Sequence, residues 1–360
     1  MTAEPVIRVT AGDLRQLTAA ILSAWGMPAR AAAETARLIV ETDLLGIDSH
    51  GVSMLPFYET LRASGKWRPE AVARLIRDLP CTALLDGDQG LGYCTAWQAM
   101  QLAVGKARQT GVGVVAVRNS NHFGAAGLYA RAATRCGLIG LVTSTARLPM
   151  MMPTHARQPV LGTNPIAFAA PARRNRPFVL DMATTTVAAN KVKVYELQNR
   201  DIPAGWVVDG KGRPVTDSAM AMDHLFRSPE GGLSALGGSP DMGSHKGYGL
   251  CMLAQILAGP LGGAVWSSHP QEVGHFFLAL DPQAFRPEGA FEKDLDSLID
   301  VLHATPPVDP ARPVLVAGDP EAAARAQRLR DGIPLPRKLQ DQLREISRRA
   351  GIDPCPGFLL

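Results

Sequence analysis

The stretch that most constrains the fold is Val112-Gly-Val-Val-Ala-Val117, which passes directly into Arg118-Asn-Ser-Asn-His-Phe-Gly124 and then into Ala125-Ala-Gly-Leu-Tyr-Ala-Arg131. The β-branched run reads as a buried strand. Beyond Gly124, Leu128, Tyr129 and Ala132 carry helical spacing, so His122 is expected at a strand-to-helix turn. Backbone N–H groups are free at such a turn and the helix dipole is positive there, so ligands gather. Asn119, Ser120 and Asn121 offer hydrogen-bond partners that could fix the tautomer of the ring. The competing reading is that His122 merely caps the helix, and the stretch alone leaves both open.

The ends of the chain have a different texture. Thr10-Ala-Gly-Asp13 has the form of a capping box ahead of Leu14, Leu17, Ile21 and Leu22. A second helix is expected after Met27-Pro28, ending at Gly46, and a third runs to Gly65. From Ala73 short apolar strands alternate with glycine turns, at 82–85, 112–117, 138–143, 166–169, 177–183 and 273–281. Gly87, Gly90 and Gly92 read as a hairpin turn, and 203–215 as irregular chain with turns at Asp209-Gly and Lys211-Gly. Beyond Pro320 the pattern is helical again. The expectation is an α/β protein in which residues 1–75 and 315–360 form one helical domain beside a strand-rich region, 76–314.

With 46% hydrophobic and 19% charged residues over 360 positions, a sizeable core is assured. The net charge of +4 is spread out. Its densest basic group, Leu343-Arg-Glu-Ile-Ser-Arg-Arg349, has an acid interleaved and reads as a solvated helix face, not a nucleic-acid surface. Cys81, Cys94, Cys136, Cys251 and Cys355 are isolated and odd in number. That argues against disulfides and a thiolate zinc site, and points to a reducing, cytoplasmic compartment. No secretory signal is expected. Residues 247–266 are nearly all apolar, but Gly259-Pro260 ends the helical half, so a buried core helix is expected rather than a membrane span.

The chain has no G-x-G-x-x-G after a strand, no P-loop, no His-Glu-x-x-His and no G-x-S-x-G. Polar residues in apolar surroundings remain: Ser49-His50 after a helix end, His122, the loop Gly162-Thr-Asn-Pro165, Asp181 at a strand end, and Lys246 at the mouth of an apolar helix. An unpaired ammonium in such a place is costly, so Lys246 needs an acid such as Asp181 or an anionic ligand. Two imidazoles, an aspartate and a lysine suit redox proton chemistry. Reducing a 2-oxo acid takes a hydride from a reduced nicotinamide and a proton onto the carbonyl oxygen. Imidazole, with a pKa of roughly 6.5, suits that proton transfer, and an aspartate beside it would hold the tautomer.

These residues resemble the type-2 malate/L-lactate dehydrogenases, non-Rossmann NAD(P)-dependent oxidoreductases. The resemblance runs through Asp48-Ser-His-Gly-Val52, Asn119-Ser-Asn-His-Phe-Gly124, Leu161-Gly-Thr-Asn-Pro165, Leu180-Asp-Met-Ala-Thr184 and Ile202-Pro-Ala-Gly-Trp206. It continues in His245-Lys-Gly-Tyr-Gly-Leu250, Gly274-His-Phe-Phe277 and Ala317-Gly-Asp-Pro-Glu321. It implies a malate/L-lactate (sulfolactate) dehydrogenase-like α/β fold with a large mixed or antiparallel sheet, which binds NAD or NADP without a glycine fingerprint. It also implies a homodimer acting on a small-molecule substrate, with no nucleic-acid or membrane partner. By motif match His122 is the proton carrier, with His50 second and Asp181 a further catalytic candidate. Ser49 and Tyr58 face the substrate. Ala146, Thr163, Asn164, Met182, Ala183, Thr184, Lys246 and Gly318 match cofactor contacts.

The chain departs from the pattern at three places. Met54 stands where many members carry an arginine suited to forked carboxylate recognition. Pro153-Thr-His-Ala-Arg157 replaces a common Pro-Trp-Gly-Gly, and with Met54 this looks closer to the hydroxycarboxylate dehydrogenase branch. Asn190 replaces a usual glycine. The chemistry expected is hydride transfer to a 2-oxo acid; the alternative in the same family is NADPH-dependent reduction of a cyclic imine acid such as piperideine-2-carboxylate or pyrroline-2-carboxylate. Arg147 or Arg157 could serve a ribose 2′-phosphate.

Overall fold

A strand that is apolar at nearly every position needs cover on both faces and neighbours on both edges. Val273-Gly-His-Phe-Phe-Leu-Ala-Leu280 finds all four in the computed structural model, which describes residues 6–197, 199–264 and 272–352. In chain order come β1 (Ile7–Val9), α1 (Ala11–Ala24), α2 (Ala29–Leu44), α3 (Leu55–Ala63), β2 (Arg74–Asp78), β3 (Thr82–Asp86), α4 (Gly92–Thr110), β4 (Val112–Ser120), α5 (Gly127–Thr134) and β5 (Ile139–Ser144). Then follow β6 (Met151–Met152), β7 (Ile166–Ala170), β8 (Phe178–Met182), α6 (Ala189–Leu197), β9 (Val207–Val208), β10 (Pro214–Val215), α7 (Ser218–Phe226), β11 (Gly232–Ser234) and α8 (Ser244–Ala258). The chain continues through β12 (Val273–Leu280), α9 (Ala290–Ala304), α10 (Asp319–Asp331), β13 (Ile333–Leu335) and α11 (Arg337–Arg349).

The large sheet has seven strands in the order β2-β3-β4-β12-β5-β7-β8. Neighbours are antiparallel except β3 and β4, which are parallel and joined through α4. This corrects the hairpin reading of Gly87, Gly90 and Gly92. Parallel neighbours require a crossover, and these glycines turn the chain from β3 into α4. Two other glycines set how closely helices approach the sheet: a Cβ on Gly113 would lie 2.0 Å from Ala103 O of α4, and one on Gly274 would lie 1.9 Å from Ala258 O of α8.

Thr10 caps α1 as its spacing predicts, its hydroxyl accepting from Asp13 N at 3.1 Å. The two ends meet where β1 pairs with β13, and Leu14, Ile21 and Leu38 share one apolar cluster with Val115, Phe277 and Leu343. A smaller sheet, β10-β9-β11-β6, packs with α6 and α7 around Val192, Val207 and Leu233. Its hairpin β9–β10 turns at Asp209, in a segment read from sequence as irregular. The Asp209 carboxylate accepts from Lys211 N at 2.8 Å and Arg213 N at 3.0 Å, which tightens a turn too short to carry a strand signal.

The apolar helix α8 ends at Ala258 before Gly259-Pro260, as expected. It is buried on one face only: Cys251 and Ala254 are covered, whereas Leu250, Leu253 and Ile256 are exposed. Among the described residues no helix is long and apolar enough to cross a membrane. Cys81, Cys94, Cys136 and Cys251 are free thiols; Trp266 and Cys355 lie outside the described residues.

Candidate active site

His122 stands between β4 and α5, at the turn its sequence predicts. The turn is braced by the polar residues that precede it. Asn119 takes a left-handed backbone, φ 51°, which an Asn tolerates better than most side chains, and its amide donates to Asp86 Oδ1 at 2.9 Å. Asn121 donates to the carbonyls of Lys66 and Gln89 at 3.2 and 2.9 Å. Ser120 meets Nε2 of the buried His275 at 3.0 Å, and Ser144 Oγ meets its Nδ1 at 2.8 Å. The His275 ring lies flat on Phe123, with centroids 4.3 Å apart. Asn119, Ser120 and Asn121 therefore shape the turn and leave the His122 ring to others. Nor does His122 cap α5, whose N-cap is Ala126.

The partner of the ring is a tyrosine. Tyr58 Oη lies 2.7 Å from His122 Nδ1, and Tyr93 Oη lies 2.9 Å from Tyr58 Oη. Both tyrosines are fully buried, and burial raises both phenols above their usual range, so they stay protonated. Gly124 N points at the same Nδ1 from 3.3 Å. His50 arrives from the loop after α2, its ring stacked on His122 with centroids 5.5 Å apart and planes at 26°. Ser49 Oγ lies 2.8 Å from His50 Nδ1, and Asn190 holds the Ser49 carbonyl at 3.0 Å, so the Asn190 departure ties α6 to this loop. Phe57 packs edge-on to the His122 ring, with centroids 6.4 Å apart. Burial, reinforced by His50 and His275, pushes the His122 imidazole down to about 3; burial also lowers His50. In this resting arrangement His122 is neutral at ordinary pH.

The residues matched to the cofactor fall into two groups. Asn164 Oδ1 accepts from Ala146 N at 3.0 Å and Asn164 Nδ2 donates to Gln255 at 2.8 Å, while Thr184 Oγ1 donates to the carbonyls of Thr163 and Asn164 at 3.0 and 3.1 Å. Met182 pairs across the sheet with Ile166, so Met182, Ala183 and Thr184 flank the same loop. Leu236 N donates to Thr184 O at 2.9 Å, and Gly247 packs on Leu236, which brings the start of α8 and Lys246 to this side. The second group, Asp181 and Gly318, lines a cavity of about 230 Å³ with Gly127, Arg131, Arg176 and Val179.

Two expectations about charge need correction. Asp181 makes no hydrogen bond to either imidazole: its Oδ2 accepts from Gly127 N at 2.7 Å. Lys246 does not pair with Asp181; it is exposed, so water solvates the ammonium and the burial cost assumed for it does not arise. Among the described residues no group of histidines, cysteines or acids could hold a metal ion. Sequence reasoning missed Tyr93 and His275 as parts of the site. The signals were a phenol on an alanine-rich helix face and an imidazole inside an all-apolar strand.

Residues 9–344 match the family described as malate/L-lactate dehydrogenase. The chain is 38% identical to a malate dehydrogenase of Pyrococcus abyssi, over 97% of this chain and 96% of that one. It is 28% identical to hydroxycarboxylate dehydrogenase B of Escherichia coli, over 96% and 95%. The crystal structure of malate dehydrogenase from Entamoeba histolytica superposes with a TM-score of 0.93 at 28% identity, covering 98% of this chain and 100% of that one.

Proposed function

The chain belongs to the malate/L-lactate dehydrogenase family, and from that premise we propose that it moves a hydride between NAD or NADP and a small 2-hydroxy/2-oxo acid, with His122 carrying the hydroxyl proton. The observation that carries the role of His122 is the buried row of hydroxyls behind it. With Nδ1 engaged by Tyr58, Nε2 is the nitrogen left to face a substrate oxygen. In reduction an imidazolium gives its Nε2 proton to the carbonyl oxygen and is left with Nδ1–H donating to Tyr58, a tautomer that gives up the 3.3 Å contact Nδ1 accepts from Gly124 N in the resting ring. In oxidation the same tautomer accepts the hydroxyl proton at Nε2. The Tyr58 and Tyr93 hydroxyls can turn from donor to acceptor together, so the row supports Nδ1 in either state. An arriving carboxylate adds negative charge beside a ring that burial keeps neutral, and so favours its protonation; anion and proton are taken up together.

His50, oriented by Ser49, walls the same space and contributes to substrate placement. Ala146, Thr163, Asn164, Met182, Ala183 and Thr184 would hold the dinucleotide, with Asp181 and Gly318 at the adjoining cavity. The residues fit such a group: a Cβ on Gly162 would lie 2.5 Å from that of Ala146, so this wall is kept small, and Lys246 offers an exposed cation at the first turn of a long helix, suited to a pyrophosphate. A bound nicotinamide supplies the hydride in reduction and takes it up in oxidation. We further place the protein in the cytoplasm as a homodimer; isolated free thiols support the first and the exposed row Leu250, Leu253 and Ile256 supports the second.

The test is a spectrophotometric screen of NADH and NADPH against aliphatic 2-oxo acids, aromatic 2-oxo acids and cyclic imine acids. Oxidation of cofactor by a 2-oxo acid, with formation of the matching 2-hydroxy acid, is the expected result. Turnover of cyclic imines alone would replace this reading with the imine reductase one.

A further inference from the structure

Arg147 follows Ala146 on the chain that leaves β5, and its side chain reaches across to the His122 turn, where a terminal nitrogen donates to Asn121 Oδ1. Asn121 is itself fixed by its bonds to Lys66 O and Gln89 O, so the guanidinium is held in place by a neutral group. That contact uses one of the five N–H donors a guanidinium carries. Several arginines near this end of the sheet are matched by a carboxylate. Arg118 meets Asp86 at 3.3 Å, Arg131 and Arg325 meet Glu41 at 2.7 and 2.8 Å, and Arg328 pairs with Asp48. Arg157, the other arginine singled out in the sequence, is taken by Glu230 at 2.7 Å. No carboxylate of the described residues pairs with Arg147, although it is half-buried and burial lowers its pKa with no acid to oppose the shift. A cation partly withdrawn from water without a counter-ion favours an anion beside it.

We propose that Arg147 holds the carboxylate of the substrate 2-oxo acid and so sets the specificity for that class. The proposal rests on the function assigned above. Position favours the substrate over a cofactor phosphate: Arg147 grips Asn121, the residue next to His122. In a 2-oxo acid the carboxylate is bonded directly to the carbonyl carbon whose oxygen is to be protonated. A guanidinium fork at this place fixes the carboxylate and thereby the carbonyl oxygen relative to Nε2.

The experiment measures binding of oxamate, a non-reducible 2-oxo acid mimic, to the NADH-bound protein by calorimetry, together with the affinities for NADH and NADPH. It compares wild type with Arg147→Gln and Arg147→Lys. Glutamine can still donate to Asn121, which preserves the turn, and lysine keeps the charge but loses the fork. Arg147→Gln is expected to weaken oxamate by about 50-fold and to raise KM for a 2-oxo acid similarly, with both cofactor affinities within about twofold of wild type. Arg147→Lys should recover part of the loss. Unchanged oxamate affinity in Arg147→Gln, or no oxamate binding by wild type, overturns the proposal. A selective loss of NADPH binding overturns it in favour of the 2′-phosphate. Arg147-dependent oxamate binding by a protein that reduces no 2-oxo acid would sink the redox reading and leave this assignment standing. Turnover of 2-oxo acids with a KM indifferent to Arg147 would do the reverse.

Discussion

His275 offers the sharpest link between burial and pH. Its ring is 0% exposed and is bonded at both nitrogens by serine hydroxyls, Ser144 at 2.8 Å and Ser120 at 3.0 Å. Burial pushes its pKa down to about 3, so the folded protein refuses a proton that the unfolded chain accepts below roughly 6.5. The unfolded state binds more protons in that window, and stability is therefore lost as pH falls from about 6.5 towards about 3. At pH 5 the gap of about 1.5 units below the unfolded value is worth about 2 kcal/mol. Replacing His275 with Phe keeps the stack on Phe123 and removes the titration. It strips one partner from Ser144, which still donates to Thr145 O at 2.8 Å, and leaves Ser120 with only a 3.5 Å contact to Asn121 O. An orphaned buried hydroxyl costs about 2 kcal/mol. Urea unfolding at pH 7.5 should find His275→Phe less stable than wild type by about 2 kcal/mol, and at pH 5 the two should nearly coincide. His122 titrates in both proteins and is held down mainly by its own burial, so most of its contribution cancels. A difference that stays constant between the two pH values would refute the claim that His275 is buried neutral.

Tyr58→Phe removes the hydroxyl behind His122 Nδ1 and should lower kcat about 10-fold, with Tyr93→Phe weaker and in the same direction; equal activity of both variants would disconnect the hydroxyl row from catalysis. Because His122 is neutral when the site is empty, binding of oxamate at pH 7 should take up close to one proton, read from calorimetry in buffers of different ionisation enthalpy, and the uptake should vanish in His122→Ala. Gly113→Ala places a methyl on the Ala103 carbonyl and should cost about 3 kcal/mol in urea unfolding, since backbone stands on both sides of the clash.

Much of the fold was legible because its signals are local. The cap at Thr10, the strands at 112–120 and 273–280 and the stop at Gly259-Pro260 each follow from residues within a few positions. The parallel pairing of β3 with β4 and the two-residue strands β9 and β10 were not, since pairing partners are chosen by tertiary contact and such short strands carry no periodicity. At the site, motif residues located the histidines but not what holds them. An aspartate was expected behind the imidazole and a tyrosine is there, because a hydroxyl on α3 and one on α4 meet only once the helices pack. Lys246 was expected to be buried from the apolar run around it, yet a helix covered on one face leaves the other to water.

The central claim is that His122, not His50, carries the proton. It is tested most directly by kcat/KM for the best 2-oxo acid in wild type, His122→Ala and His50→Ala, with cofactor affinity measured alongside. A fall of about 10²- to 10⁴-fold in His122→Ala with cofactor binding intact, and a smaller fall in His50→Ala, is the expected result. Full turnover in His122→Ala would contradict it.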